Sequence, residues 1–114
     1  MITTKRLENY VRQAKAEARL FRKTRKLIYL EQAAEKTYNA YILLLERIYN
    51  ISIIHHKDVS KIMRRSRDKD IIELGTVANS LHIMFYESGD EFFIRRNLQK
   101  AWSLIGRIKK RRNL

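Results

Sequence analysis

The sequence predicts an all-α protein, an antiparallel four-helix bundle with one extra short helix. The 114 residues include no proline and only three glycines, whereas a β-rich chain needs turn residues about every 8–12 positions. Hydrophobic residues make up 45% of the chain, enough for a buried core. Apolar residues also recur at alternating steps of three and four, the period of an amphipathic helix. We therefore expect a single helical domain over residues 1–114.

The first predicted helix begins near Thr3 or Thr4, because either hydroxyl can cap it. Its apolar stripe consists of Leu7, Val11, Ala14, Ala18 and Phe21. A second stripe, about 100° around the helix, carries only cations: Arg12, Lys15, Arg19, Arg22 and Lys26. Most charge runs are solvated faces, but a run of cations without an acid is more one-sided than solubility requires. The stripe is therefore a candidate nucleic-acid-binding surface.

The second helix is predicted over residues 27–50, with Thr24 in a position to cap it. Its apolar face is wide, which predicts a central helix that contacts more than one neighbour. The region that follows is irregular, although Asp58 can cap a short helix that ends near Met63 or Arg65.

A third long helix is predicted over residues 70–86, opened by Asp68 or Asp70. On a helical wheel, Gly75 lies on the same side as a polar cluster and leaves room for a close neighbour. The cluster is the candidate catalytic or binding site of this helix: Asn79, His82 and Tyr86. The alternative is that the histidine and the tyrosine are polar residues at the margin of a packed helix, each making one hydrogen bond.

Ser88 and Glu91 have the spacing of a capping box, so the last helix is expected to begin there and to run to about Lys109. A basic tail over residues 109–114 then continues past its end. Its cations, with one from the preceding turn, complete the candidate nucleic-acid-binding set: Arg107, Lys109, Lys110, Arg111 and Arg112.

The formal net charge of +13 points to a polyanionic partner, which is RNA, DNA or an acidic protein. The chain has no cysteine, and it has no glycine-rich phosphate loop, dinucleotide fingerprint or serine elbow. His55 and His56 are adjacent and point in different directions, so they form a poor chelate. We expect no metal and no cofactor.

No apolar run approaches the roughly 20 residues of a membrane span, and the N-terminus has no apolar signal core. We therefore expect no membrane partner and a cytoplasmic location. Many Lys, Arg and Ile with no Cys or Pro are compatible with a thermophile.

Two stretches resemble the archaeal Pyrobaculum-repeat branch of the HEPN superfamily. In "LEQAAEKTYNAYILLL", residues 30–45, the pattern QAxEKxxxA of that branch is matched by Gln32, Ala33, Glu35, Lys36 and Ala40. "ANSLHIMFYES", residues 78–88, is similar to the segment LHxNFYE through Leu81, His82, Phe85, Tyr86 and Glu87, with Met84 in place of asparagine. The order of helices also fits, so the resemblance covers about residues 3–108.

The resemblance implies a HEPN-like helical bundle that is commonly dimeric. Members of the superfamily are often ribonucleases or RNA-binding modules, and some pair with a nucleotidyltransferase in toxin–antitoxin or defence systems. HEPN nucleases carry an arginine that is followed, after four to six intervening residues, by a histidine. Here Gly75, Thr76 and Val77 precede His82, and Arg47 is too far from the other two histidines. Catalysis is therefore not expected from the usual motif.

Three functions remain open at this point. The first is an RNA-binding module whose lysines and arginines contact phosphates, with RNA favoured over DNA because no short glycine-containing turn predicts a helix-turn-helix. The second is a subunit that docks an acidic protein, such as a nucleotidyltransferase. The third is a ribonuclease that uses His82 at a dimer interface. A homodimer is expected because Trp102, Phe92 and Phe93 exceed the apolar surface that a small bundle buries.

Overall fold

The structure, a computed structural model, describes residues 2–53, 56–87 and 90–114, and only the backbone of residues 2–4, 56 and 84–87. These residues form five helices and no strand: α1 (Ile2–Thr24), α2 (Leu27–Tyr49), α3 (His56–Arg65), α4 (Lys69–Glu87) and α5 (Glu91–Arg111). The prediction of an all-helical fold is confirmed. None of the described helices combines the length and the apolarity that crossing a membrane requires.

The central position predicted for the second helix is confirmed, because α2 packs against α1, α4 and α5. Alanines at positions 33, 34 and 40 of α2 are buried, and such small side chains let neighbouring helices approach closely. Most of the packing of α1 is against α2, whereas α5 packs against α4 and α2. The two helices at the ends of the chain are therefore held together mainly through α2.

Trp102 is part of the core, and this corrects the expectation that it adds to a surplus of exposed apolar surface. Only 9% of it is exposed. Its indole Nε1 donates a hydrogen bond of 2.9 Å to Oγ1 of Thr37, the one buried polar residue among those described. The Thr37 hydroxyl in turn donates to the carbonyl oxygen of Ala33 at 2.8 Å. The two polar groups therefore satisfy each other inside the bundle.

The predicted caps of the first two long helices are wrong. Helix α1 already includes Thr3 and Thr4, since it begins at Ile2. Thr24 is the last residue of α1, and its hydroxyl donates to the carbonyl oxygen of Leu20 at 2.8 Å. The same hydroxyl oxygen of Thr24 accepts from the N–H of Lys26 at 3.3 Å, so Thr24 supports the turn between the helices but is not the capping residue of α2. The capping position of α2 is occupied by Lys26, which makes no capping hydrogen bond through its side chain.

The starts of α3 and α5 also differ from the prediction. Helix α3 begins at His56, so Asp58 lies within its first turn, where a carboxylate is favoured by the helix dipole. Helix α5 begins at Glu91 and is capped by Asp90, whose carboxylate accepts hydrogen bonds from the backbone N–H groups of residues 92 and 93. The predicted cap Ser88 lies outside the described residues.

Asp68 opens α4 as predicted, and it also binds the end of α5. Its Oδ1 accepts hydrogen bonds from the N–H groups of Asp70 (3.0 Å) and Ile71 (3.4 Å). Its Oδ2 lies 2.7 Å from the guanidinium of Arg111 and 2.9 Å from that of Arg112. Partial burial raises the pKa of Asp68, but the hydrogen bonds from these arginines and from the Ile71 N–H outweigh it and lower the pKa to about 2.

The low pKa of Asp68 predicts a specific acid sensitivity. The ordinary value of about 3.9 applies in the unfolded chain, so the stabilisation is complete above about pH 4 and is lost as the pH falls towards 2. We expect Asp68→Asn, which can still cap α4, to lower the free energy of unfolding at pH 7 by about 1 kcal/mol. In urea unfolding curves the difference from the wild type should shrink steadily below pH 4 and be largely lost at pH 2.

Glu35→Gln is the matched control, because Glu35 is an exposed carboxylate with no ion pair to a described residue. Its unfolding curves should follow the wild type from pH 7 to pH 2. A difference between Asp68→Asn and the wild type that is as large at pH 2 as at pH 7 would show that the ion pairs with α5 are not its source.

Candidate nucleic-acid interface

Helices α1 and α5 run antiparallel on either side of an open groove. At one end Lys109 Nζ lies 3.1 Å from Glu8 Oε1, and at the other end Arg25 Nη2 lies 2.9 Å from Glu91 Oε1. Seventeen residues separate Glu8 from Arg25 in the chain, which corresponds to about 26 Å along a helix. Because each helix packs mainly on other helices, the space between them stays accessible over this length.

The groove has two adjoining sections, and together they are called the basic groove here. The first has a volume of about 270 Å³ and is lined by Lys15, Ala18, Arg19, Arg22, Arg95, Leu98, Gln99 and Trp102. The second has a volume of about 390 Å³ and is lined by Glu8, Val11, Arg12, Lys15, Arg19, Trp102, Ile105, Gly106 and Lys109. Lys15, Arg19 and Trp102 belong to both, so the sections are continuous.

Cations form the walls of the basic groove, and most of them have no ion pair with a described residue. Arg12, Lys15, Arg19 and Arg22 are exposed, and the structure shows no carboxylate among the described residues within ion-pair distance of any of them. Arg12 donates a hydrogen bond to the side chain of its neighbour Asn9. Because no opposite charge neutralises these four groups, the groove is a surface of strongly positive potential.

Trp102 forms the floor of the basic groove, but its ring is not available for stacking with a ligand. The indole is buried, its N–H is bonded to Thr37, and Lys15 Nζ lies 5.8 Å from the centre of its ring. A cation over the face of an indole is attracted by the ring quadrupole. The Trp102 ring therefore stabilises the Lys15 ammonium group at a position inside the groove.

The structure places four of the five cations predicted on the first helix in the basic groove. The exception is Lys26, because α1 ends at Thr24 and the helical spacing does not continue to residue 26. Sequence reasoning missed the opposite wall, formed by Arg95 and Gln99 of α5. Their spacing of four residues, with Trp102 three residues further on, is a helical stripe that could have identified them.

The predicted basic tail is largely bound within the bundle. Helix α5 extends to Arg111, two residues past its predicted end at Lys109. Arg107 pairs with Asp70 at 3.2 Å, and Lys109 pairs with Glu8. Arg111 and Arg112 both pair with Asp68. Lys110 is the member of this set that has no ion pair with a described residue. The paired cations therefore connect α5 to α4 and α1.

The polar cluster of α4 lies beside a separate cleft between α2, α3 and α4. Asn79 lines the cleft together with Tyr38, and the ring of His82 stacks on Tyr38 with centroids 4.8 Å apart and an interplanar angle of 24°. The side chain of Tyr86 lies outside the described residues. The structure thus places Asn79 in the lining of the cleft and His82 against Tyr38, where the imidazole packs on the core as an aromatic partner.

This cleft, called the polar cleft here, has a volume of about 440 Å³. Gly75 lies in its lining, and the absence of a side chain there lets residues of α2 and α3 approach α4 closely. A Cβ at this position would lie 2.6 Å from Met63 Sδ and 3.0 Å from the Tyr41 hydroxyl, so the predicted close neighbour of Gly75 is confirmed. Burial raises the pKa of Tyr41, which keeps its hydroxyl protonated. Arg64 is the cation among the described lining residues.

Among the side chains that the structure describes, no group of three His, Cys, Asp or Glu residues is arranged to hold a metal ion. His55 and the side chain of His56 fall outside that set. Comparisons with family models, with characterised proteins and with solved structures found no match to this chain. A functional argument therefore depends on the chemistry of the basic groove, of the polar cleft and of the motifs in the sequence.

Proposed function

We propose that this protein is an RNA-binding module, built as a HEPN-like antiparallel four-helix bundle with one extra short helix, that holds an RNA backbone in its basic groove. One observation carries the proposal. Four exposed cations follow one wall of a groove in which the only acid among the lining residues, Glu8, is paired with Lys109. A polyanion that enters the groove releases its counterions without displacing an internal carboxylate from the central cations.

Binding in the basic groove is expected to be insensitive to sequence. Its polar groups are mainly lysine and arginine, which contact phosphates and fix position without reading bases. Base stacking, the usual source of extra affinity for single strands, would need an exposed aromatic ring, and the indole of Trp102 is buried. The preference for RNA over DNA, and a place in a toxin–antitoxin or defence system, follow from the HEPN resemblance.

The purified protein and its RNA-binding reactions also distinguish two alternative functions. An acidic protein partner would satisfy the same cations, and it would appear as a stoichiometric acidic protein in a preparation that contains no nucleic acid. A ribonuclease that uses His82 is favoured by the polar cleft, which Asn79, Arg64 and Tyr38 line, and by the stacking of His82 on Tyr38. In that case the RNA recovered from a binding reaction would be shortened.

The salt dependence of RNA binding tests the proposed function. With four groove cations engaged, and about 0.7 logarithmic units per phosphate contact on a single strand, log K should fall with log salt at a slope of about −2.8. Binding of a labelled single-stranded RNA should therefore weaken about 50-fold between 50 and 200 mM salt, as measured by fluorescence anisotropy. Affinity that does not change over this range would overturn the proposal.

A further inference from the structure

We propose that one end of the bundle docks on the surface of an anionic phospholipid bilayer. This apolar end is formed by five exposed hydrophobic residues: Leu20, Leu27, Ile28, Phe92 and Phe93. Of Phe92, 68% is exposed, and of Leu27, 58%, the two largest fractions among the exposed large hydrophobic residues described. Large apolar side chains gathered on a surface are typical of a site that contacts another molecule or a membrane.

The α1–α2 turn and the start of α5 are held at the same end of the molecule. Arg25, in the turn, forms an ion pair with Glu91, the first residue of α5, at 2.9 Å. Leu27 and Ile28 follow Arg25 after one intervening residue, Lys26, and the two phenylalanines follow Glu91 directly. The ion pair therefore holds the two apolar groups at the same end of the bundle.

Cations outnumber acids around the apolar end, where Glu31, one turn after Leu27, is the exposed acid with no ion pair to a described residue. Residues 18–30 contain five lysines and arginines and no acid, and α5 adds Arg95 and Arg96. The Asp90 carboxylate accepts the backbone N–H groups of both phenylalanines, and Glu91 pairs with Arg25 and Arg95. A surface with apolar residues at its centre and basic residues around them complements the acyl boundary and the anionic headgroups of a bilayer.

The charge argues against a second copy of the chain as the occupant. Two copies joined symmetrically at this end would place their cations face to face, which is repulsive. The five apolar residues lie outside both sections of the basic groove and outside the polar cleft.

The proposal departs from the sequence-based expectation that no membrane is involved. That expectation depended on the lack of a spanning segment, whereas a peripheral contact needs only a shallow apolar surface and neighbouring cations. The apolar residues are distinct from the proposed RNA site, because Phe92 and Phe93 do not line the basic groove, whereas the cations Arg19, Arg22 and Arg95 are shared by the two surfaces.

Vesicle flotation tests the proposal with two lipid compositions, phosphatidylcholine alone and phosphatidylcholine with about 30 mol% phosphatidylserine. The full chain should float with the phosphatidylserine vesicles at low salt and remain behind with phosphatidylcholine alone. Phe92→Ser/Phe93→Ser should reduce partitioning at least about tenfold by removing apolar contacts. Lys23→Gln/Lys26→Gln should reduce it about 30-fold, given about 1 kcal/mol for each charge near the surface.

The matched controls lie far from the α1–α2 turn. Ile51→Ser removes a similarly exposed apolar side chain after the C-terminus of α2, and Lys57→Gln/Lys61→Gln removes two exposed charges from α3. Both should float like the wild type, and Phe92→Ser/Phe93→Ser should keep wild-type RNA affinity and thermal unfolding. Equal flotation with both lipid compositions, or of all variants, would overturn the proposal. So would a dimer in light scattering that the phenylalanine variant converts to a monomer.

Discussion

Replacing Trp102 with alanine is expected to lower the free energy of unfolding by about 3–5 kcal/mol, the range for removing a large aromatic side chain from a core. The side chain is almost fully buried between α5 and α2, and its removal leaves a cavity that helices fixed by other contacts cannot close. The change also leaves the Thr37 hydroxyl without its donor. Urea unfolding followed by circular dichroism measures the effect.

The hydrogen bond can be separated from the packing by Thr37→Val, which keeps the side-chain shape. The indole N–H then loses its acceptor inside the core, and a loss of about 1–3 kcal/mol is expected. Ser103→Ala is the control, since Ser103 is the exposed neighbour of Trp102 on α5, and its effect should stay within about 0.5 kcal/mol. If Trp102→Ala destabilised the protein no more than Ser103→Ala, Trp102 would not be a core residue.

Neutralising Lys15 and Arg19 together is expected to weaken RNA binding about 25-fold at 100 mM salt and to reduce the salt slope by about 1.4. These two residues line both sections of the basic groove and have no ion pair with a described residue. Their replacement by glutamine therefore removes two phosphate contacts without releasing a buried acid. Anisotropy titrations at several salt concentrations give the affinity and the slope together.

The control for this variant must remove the same charge from another surface. Lys57→Gln/Lys61→Gln does so on α3, where both lysines are exposed and outside the basic groove. It should change the salt slope much less than the groove variant, although the net charge of the two proteins is equal. Equal losses from the two double variants would mean that RNA responds to total charge, and the groove would then have no special role.

The period of the apolar residues was sufficient to predict the helices, because each long helix buries one continuous stripe. In α1 the predicted residues Leu7, Ala14 and Phe21 are buried, and Val11 and Ala18 pack against them at the edge. The helix starts were less predictable. Several residues near each helix start are able to act as its cap. At α5 the spacing of Ser88 and Glu91 predicted a start at Ser88, whereas the helix is capped by Asp90.

The sequence predicted only one wall of the basic groove, the one formed by the cations of α1. Charge spacing on the first helix identifies Arg12, Lys15, Arg19 and Arg22, but it cannot show which other helix faces them, because that depends on packing between distant segments. The same limit explains the C-terminal cations. Their partners Asp68 and Asp70 are about 40 residues away in the chain, so a local charge run gave no sign that Arg107 and Arg111 would be paired.

The position of Trp102 has a practical consequence. It is the only tryptophan in the chain, and it forms the floor of the groove between α1 and α5. Its fluorescence therefore comes from one position, with the ring centre 5.8 Å from the Lys15 ammonium nitrogen. A ligand that enters the groove changes the surroundings of this one fluorophore, so the native chain contains its own optical probe of the site and requires no attached dye.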